Sequence, residues 1–328
     1  MAMCCDENYA MPLAVTLHSM LMRLRYHDAV HVYVLSSGLA EQTKDRLRRS
    51  AQVCGLSVTL EFVEVDSAST QNLPVSRHLS VATYMRLLLP VLLPLTVRKV
   101  VYLDCDLLIT EDISELWNED ISAHSLLAVQ DMLIARVSHN EFGLYNWKAL
   151  GYPVDHPYFN AGLLVMNLER WRSMGLSDLL LTYIETHGEN LRFCDQDALN
   201  AILGRDWKPL SLKWNTFPLI LGSRIEDMQD GPARQLVRDH YSEVTRRAAV
   251  YHFVTHLKPW IPGRRLLRRR QWMDALLRSG YFSAFELAEW GLDWAAKHYF
   301  RGAMLKLRAA RFGVVGTKTN IVAKVLDI

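Results

Sequence analysis

Short β-branched runs alternate with longer amphipathic stretches over the first two hundred residues. That is the pattern of an α/β protein with a mostly parallel sheet covered by helices. Residues 30–35 (VHVYVL), 57–65 (SVTLEFVEV) and 99–103 (KVVYL) read as strands. Residues 12–24 and 39–53 read as amphipathic helices between them, and 81–89 as a third helix stopped by Pro90 and Pro94. After Asp106 come a polar stretch, a strand near residues 126–129, and a loop over 133–157. At roughly 25 residues the loop exceeds the usual connection, which marks it as a lid or binding loop. Residues 159–167 (FNAGLLVMN) read as a strand and 168–186 as a helix, and Trp171 as a core residue.

Half of the 328 residues are hydrophobic and 22% are charged, enough to build a sizeable core and too apolar for a disordered chain. No window approaches the 18 or so apolar residues of a membrane span; the nearest, 87–97, is interrupted by Pro90 and Pro94. The opening residues run directly into polar sequence, so neither a signal peptide nor an integral membrane protein is expected. The five cysteines are scattered, with no C-x-x-C pair, as buried thiols in a reducing cytosol would be.

The net charge of +2 conceals an asymmetry. Residues 264–328 hold 13 Lys/Arg against 5 Asp/Glu, leaving 24 against 30 for the rest. Arg264, Arg265, Arg268, Arg269 and Arg270 are followed by Trp272, Tyr281, Phe282, Phe285, Trp290, Trp294 and Phe300. Such a basic, aromatic helical extension suits an anionic membrane surface through residues 264–311, or equally a helical subdomain docked on the core. Nucleic acid is not expected, since the overall charge is near zero and no binding motif is present.

Neither common glycine-rich phosphate loop occurs. Chemistry enters instead at Val100-Val101-Tyr102-Leu103-Asp104-Cys105-Asp106, an apolar strand ending in Asp-x-Asp. Residues i and i+2 of an extended chain share a side, so Asp104 and Asp106 project together at a strand end, where open α/β sheets bind ligands. Two adjacent carboxylates suit Mg²⁺ or Mn²⁺. The triplet alone is weak, because the chain has a second one, Asp195-Gln196-Asp197, and a solvated strand end is the alternative reading.

Further segments fall in a telling order: Asp6-Glu7-Asn8-Tyr9, Arg77-His78-Leu79-Ser80, Thr83-Tyr84-Met85-Arg86, Tyr158-Phe159-Asn160-Ala161-Gly162, Phe193 to Asp197, and Tyr251-His252 to Lys258-Pro259-Trp260. Together with the first triplet, over residues 3–260, they closely resemble glycosyltransferase family 8, retaining enzymes of the GT-A fold. The nearest likeness is to bacterial lipopolysaccharide and capsule galactosyl- or glucosyltransferases. The resemblance implies a Rossmann-like GT-A catalytic domain over 1–262; the likeness ends beyond Trp260, leaving the basic helical extension over 263–328 outside it.

It further implies transfer of a hexose from a UDP-sugar to a saccharide or lipid-linked saccharide by a cytoplasmic enzyme, which the first of the two readings of the basic extension would place on the inner face of the membrane. Asp104, Asp106 and His252 would hold Mn²⁺, or Mg²⁺ in its place; the nitrogen ligand favours Mn²⁺. Lys258 would meet the diphosphate, and Asp6 and Asn8 uracil and ribose. Arg86, Asn160, Asp195 and Gln196 match positions around the donor sugar, with Asp195 and Gln196 at the reacting centre. Gln196 is a poor nucleophile, so the implied route is same-face attack by the acceptor hydroxyl, with the departing phosphate as base. His78, Ser80 and Thr83 are supporting positions, and the 133–157 loop and the segment around Trp214-Asn215 are expected to read the acceptor.

Two departures stand out: the first strand is shorter than the family's, and Thr255 stands where the family often has Gly. The competing readings are an inactive family member acting as a scaffold and a haloacid dehalogenase-type phosphatase. Leu108 and the lack of a later acidic pair speak against the phosphatase.

Overall fold

A computed structural model describes residues 1–25, 29–66, 82–222, 225–261, 266–283 and 285–290. The strands are β1 (Ala2–Cys5), β2 (Val30–Ser36), β3 (Val58–Glu64), β4 (Lys99–Leu103), β5 (Leu107–Ile109), β6 (Leu126–Gln130), β7 (Phe159–Asn167), β8 (Trp207–Leu210) and β9 (Val250–His252). The helices are α1 (Ala10–Leu21), α2 (Glu41–Gln52), α3 (Ala82–Met85), α4 (Leu89–Leu92), α5 (Ser114–Asn118), α6 (Leu168–Ser173), α7 (Leu176–His187), α8 (Asp195–Leu203), α9 (Pro218–Leu221), α10 (Gly231–Asp239), α11 (Tyr241–Arg246) and α12 (Arg269–Arg278).

Seven strands form one sheet in the order β3-β2-β1-β4-β7-β6-β8. The β3-β2-β1-β4 half and the β6–β8 pair are parallel, whereas β7 runs antiparallel to both β4 and β6. β5 and β9 make a separate antiparallel pair. The mostly parallel α/β sheet expected from the sequence is therefore present. β1 is short, but all four of its residues are buried, in register with β2 from Ala2 to Cys5.

Strand periodicity of two divides the core cleanly. Met3, Cys5, Val101, Leu103, Leu163 and Val165 face α1 and α2. Their alternates Cys4, Val100, Tyr102, Leu164 and Met166 face the layer of α3, α6, α7 and α8, with Trp171 fully buried there. Both faces being covered explains why β4 and β7 read as nearly unbroken apolar runs.

Several elements differ from expectation. The segment around Pro90 is not one helix but α3, a 3-10 turn at Arg86–Leu88, and α4. Pro90 sits in the first turn of α4, where its missing N–H costs no helical bond. The helix expected over 168–186 breaks into α6 and α7 at Gly175, whose φ of +60° is the left-handed conformation that glycine adopts cheaply. The short strands β5, β8 and β9 escaped the periodicity. The 133–157 loop carries no helix or strand, yet Phe142, Leu144 and Tyr152 are buried, and Val137 and Leu144 are tied through backbone hydrogen bonds.

The described part of the C-terminal extension is docked. Trp272 and Leu276 of α12 share a cluster with Val15 of α1, Leu108 and Tyr251. Arg268 donates to the Tyr251 hydroxyl at 2.7 Å, Arg49 to the Tyr281 carbonyl at 3.2 Å, and Arg46 pairs with Glu286. Arg264, Arg265, Trp294 and Phe300, and with them half of the expected membrane-facing stretch, lie outside the described residues.

Candidate active site

The parallel strands β1 and β4 end at the same edge of the sheet, and β7 begins there because it runs the other way. Three strand ends thus converge, and the end of β9 brings a fourth.

Asp104 and Asp106 follow β4 directly. The Asp104 amide donates to the Gly162 carbonyl at 2.9 Å, and the Phe253 amide to the Asp106 carbonyl at 3.1 Å. Between them Cys105 turns inward, its thiol donating to the Cys4 carbonyl at 2.9 Å. From α1, the Thr16 hydroxyl donates to the Cys105 carbonyl at 2.7 Å and accepts from the Leu107 amide at 3.1 Å, fixing the chain beyond the strand. The two carboxylates come together as expected, but not through an extended triplet: Cys105 and Asp106 form the turn that links β4 to β5.

His252, the last residue of β9, completes the group. Its Nε2 lies 3.2 Å from Asp106 Oδ1 and 3.8 Å from Asp104 Oδ2, and one donor atom from each residue falls within 4.8 Å of the others. The ring fits because Gly162 has no side chain: a Cβ there would stand 2.2 Å from the imidazole Cε1. Phe217 meets the ring edge-on at 5.7 Å. Two carboxylates and an imidazole nitrogen form a donor set suited to Mn²⁺ or Mg²⁺, so the residues fit the divalent cation the family implies.

Two cations flank the carboxylates. Lys258 Nζ lies 2.5 Å from Asp106 Oδ2 and donates to the Phe253 carbonyl at 2.7 Å. Burial works to raise the Asp106 pKa, but Lys258 and His252 outweigh it and hold the carboxyl well below its usual range. Arg86 is buried, with Nη2 3.0 Å from Asp104 Oδ1 and Nη1 donating to the Ala161 carbonyl at 2.6 Å. The Tyr102 hydroxyl adds a hydrogen bond to Asp104 Oδ1 at 2.8 Å.

Asp195 opens α8, just after Cys194, whose φ of 44° and ψ of −104° are strained for a residue with a side chain. Arg86 Nε stands 2.9 Å from Asp195 Oδ2, but its N–H is directed at the Thr83 carbonyl at 3.1 Å, so Oδ2 is buried without a hydrogen-bond donor. Burial raises the Asp195 pKa to about 7, with Arg86 opposing. A buried acceptor left open beside the carboxylate edge is what a ligand hydroxyl would satisfy. Gln196 is oriented: its Oε1 accepts from the Ala161 amide at 2.9 Å, and its Nε2 approaches the Tyr158 hydroxyl at 3.3 Å.

Asp6 and Asn8 occupy the turn after β1. Asp6 Oδ1 caps the Glu7–Tyr9 turn by accepting from the Tyr9 amide at 3.0 Å, and Asn8 is exposed. Tyr9 meets Trp260 edge-on at 5.9 Å, which brings this turn beside the Lys258 loop. Thr255, in that loop, has a φ of +68°, so it occupies a left-handed conformation that glycine would hold without strain. His78 and Ser80 lie outside the described residues.

Other residues serve the site in roles that the sequence did not indicate. Asn215 is 1% exposed and Trp214 4%, so this segment does not present an acceptor-reading surface. Asn215 Oδ1 instead meets His252 Nδ1 at 2.9 Å, and Asn215 Nδ2 donates to Asn160 Oδ1 at 2.8 Å. Asn160 Nδ2 donates to the buried Asp131 at 2.9 Å. A polar residue inside an otherwise apolar segment is the only signal that sequence offers for such partners.

A sheet whose parallel half ends in paired carboxylates, with one antiparallel strand starting at the same edge, defines a glycosyltransferase of the GT-A class. A family model described as "Glycosyl transferase family 8" matches residues 1–262, and the chain belongs to that family. General stress protein A of Bacillus subtilis (strain 168) is 32% identical over 260 residues, covering 78% of this chain and 85% of the relative. Lipopolysaccharide 1,2-glucosyltransferase of Escherichia coli (strain K12) is 25% identical, over 78% of this chain and 70% of its own length. Among solved structures, the galactosyltransferase LgtC in complex with donor and acceptor sugar analogs superposes with a TM-score of 0.70 at 25% identity, covering 84% of this chain and 94% of that one. Among the described residues, no helix is long and apolar enough to cross a membrane.

Proposed function

We propose that this family 8 glycosyltransferase moves a hexose, galactose or glucose, from a UDP-sugar to a saccharide hydroxyl with retention of configuration and dependence on Mn²⁺, in the synthesis of lipopolysaccharide or another surface glycan. The observation that carries the proposal is the meeting of Asp104, Asp106 and His252 beside the unsatisfied Asp195 oxygen.

Asp104, Asp106 and His252 Nε2 would hold a divalent cation, which when bound would supply Lewis-acid stabilisation of the departing diphosphate. Lys258, on leaving Asp106, offers its ammonium to the same phosphate oxygens. Asp195 Oδ2 accepts from a donor-sugar hydroxyl, while Arg86 beneath it holds the two carboxylates Asp104 and Asp195 apart in charge. Gln196, fixed by the Ala161 amide, presents an amide rather than a nucleophile to the anomeric centre. The acceptor hydroxyl then attacks from the face the phosphate leaves, and the phosphate oxygen takes its proton. Asp6 and Asn8 contact the nucleoside. The catalytic unit spans 1–262, with 263–328 an extension anchored through α12.

The test is release of UDP from a panel of UDP-sugars without acceptor, with Mn²⁺ and with chelator, on wild type and Asp106→Ala. Release from one sugar that depends on Mn²⁺ and disappears in the variant is expected. Absence of both release and Mn²⁺-dependent UDP binding across the panel rejects the proposal.

A further inference from the structure

The hydrogen bonds behind His252 have a direction that can be worked out atom by atom. Asp131 is 4% exposed, and its Oδ1 accepts from the Leu133 and Ile134 amides at 2.8 and 2.9 Å. An ionised carboxylate only accepts, so Asn160 must turn Nδ2 toward Asp131 Oδ2. That leaves Asn160 Oδ1 facing the Gly162 amide at 2.9 Å, a group that only donates, so both ends of Asn160 are fixed in the same sense. Asn215 must then present Nδ2 to Asn160 Oδ1 and Oδ1 to His252. His252 Nδ1 therefore carries the ring proton, and Nε2 keeps its lone pair toward Asp104 and Asp106.

We infer that Asn215, Asn160 and Asp131 form a polarised chain that sets His252 as a cation ligand through Nε2, and that Asn215 and Asp131 are positioning residues for the site. This deepens the proposed function and rests on its metal assignment. Without the chain, His252 could instead carry its proton on Nε2 and donate to Asp106 at 3.2 Å, an arrangement in which Nε2, the nitrogen that faces the carboxylates, cannot ligate a cation. Asp131 Oδ2 also lies 3.5 Å from Gln196 Nε2, at the edge of hydrogen-bond range, so one carboxylate touches both the cation side and the sugar side of the site. A partner that fixes the tautomer of a ligating histidine typically changes metal affinity 10–100-fold when removed.

The experiment uses the full chain and two near-isosteric variants, Asp131→Asn and Asn215→Leu. Nitrogen-edited NMR of the metal-free protein reads which His252 nitrogen is protonated, and Mn²⁺ titration followed by EPR reads affinity for the metal alone. Expected are a proton on Nδ1 in wild type, its loss to Nε2 in at least one variant, and Mn²⁺ binding weakened about 10–100-fold in both. Wild-type Mn²⁺ affinity in both variants overturns the inference. So does a wild-type spectrum with Nδ1 bare, which decides the matter even where a variant does not fold. A wild type that carries the proton on Nδ1 but binds no Mn²⁺ rejects the metal assignment of the proposed function and, with it, the ligand role inferred for the chain.

Discussion

Asp104-Cys105-Asp106 and Asp195-Gln196-Asp197 are the same pattern in sequence, but the backbone gives them opposite chemistry. The first lies in the turn between β4 and β5, which brings an oxygen of each carboxylate within 4.8 Å of the other, and Lys258, His252 and Arg86 stand against them. The second opens a helix, where residues two apart point to different sides. Asp195 turns to Arg86 and the open site, while Asp197 turns back and accepts from the Arg192 and Phe193 amides at 2.7 and 2.9 Å and from the Tyr158 hydroxyl at 2.5 Å. Burial dominates in both residues of the second triplet, raising Asp195 to about 7 and Asp197 to about 6. In the first triplet neighbouring cations overcome the burial of Asp106. The general lesson is that a carboxylate pair is read by which positive groups its backbone lets approach.

The largest test breaks the first triplet. Asp106→Ala removes a cation ligand and leaves Lys258 and His252 without their partner, and is expected to lower Mn²⁺-dependent UDP release by about 10³-fold or more, as loss of several kcal/mol of charge stabilisation demands. Asp197→Ala tests the opposite assignment, that the second triplet's last carboxylate is structural. Leaving one buried and two part-buried donors without their acceptor is expected to lower unfolding stability by roughly 1–3 kcal/mol in urea denaturation, with Mn²⁺ affinity of the folded fraction unchanged.

A third test uses proton linkage. Because the folded pKa of Asp195 is raised, its neutral form favours the fold; that contribution is complete below about pH 4 and is lost as pH rises through about 7. Asp106, depressed, contributes stability above about pH 4 that is lost as pH falls. Asp195→Asn is therefore expected to remove a decline in stability between about pH 4 and 7, on the order of a few kcal/mol, while leaving the acid-side loss in place. Urea melts across that range decide it.

The smallest test concerns the loop serving the first triplet. Thr255→Gly relieves the left-handed backbone but forfeits the bond from the Leu257 amide to the Thr255 hydroxyl at 3.3 Å. A net gain of about 0.5–1 kcal/mol is expected by thermal denaturation.

How much of this was legible depended on distance along the chain. β4 and β7 are long apolar runs, and their bounds in sequence and structure coincide. β5, β8 and β9 are three or four residues long, too short for alternation to register, and β5 begins immediately after Asp106. The ordered motifs announced the carboxylate triplet and His252, whose side chains the fold brings together. Asn215 and Asp131 were invisible in that role because only the pairing of β9 with β5, and the placement of β7, brings them to His252. Asn160 was marked for the sugar, whereas its carboxamide is engaged by Asp131, Gly162 and Asn215.

The pairing of Lys258 with Asp106 spans 152 residues. During synthesis at about 5–20 residues per second, the carboxylates therefore emerge roughly 10–30 s before the lysine and histidine that face them. Over that interval a nascent sheet edge carries Asp104 and Asp106 with only Arg86 beside them. The last strand and α12 thus act as a late seal: a ribosome that stops short of β9 releases a chain with an acidic, unclosed edge, unable to assemble the site however well its first two hundred residues have folded.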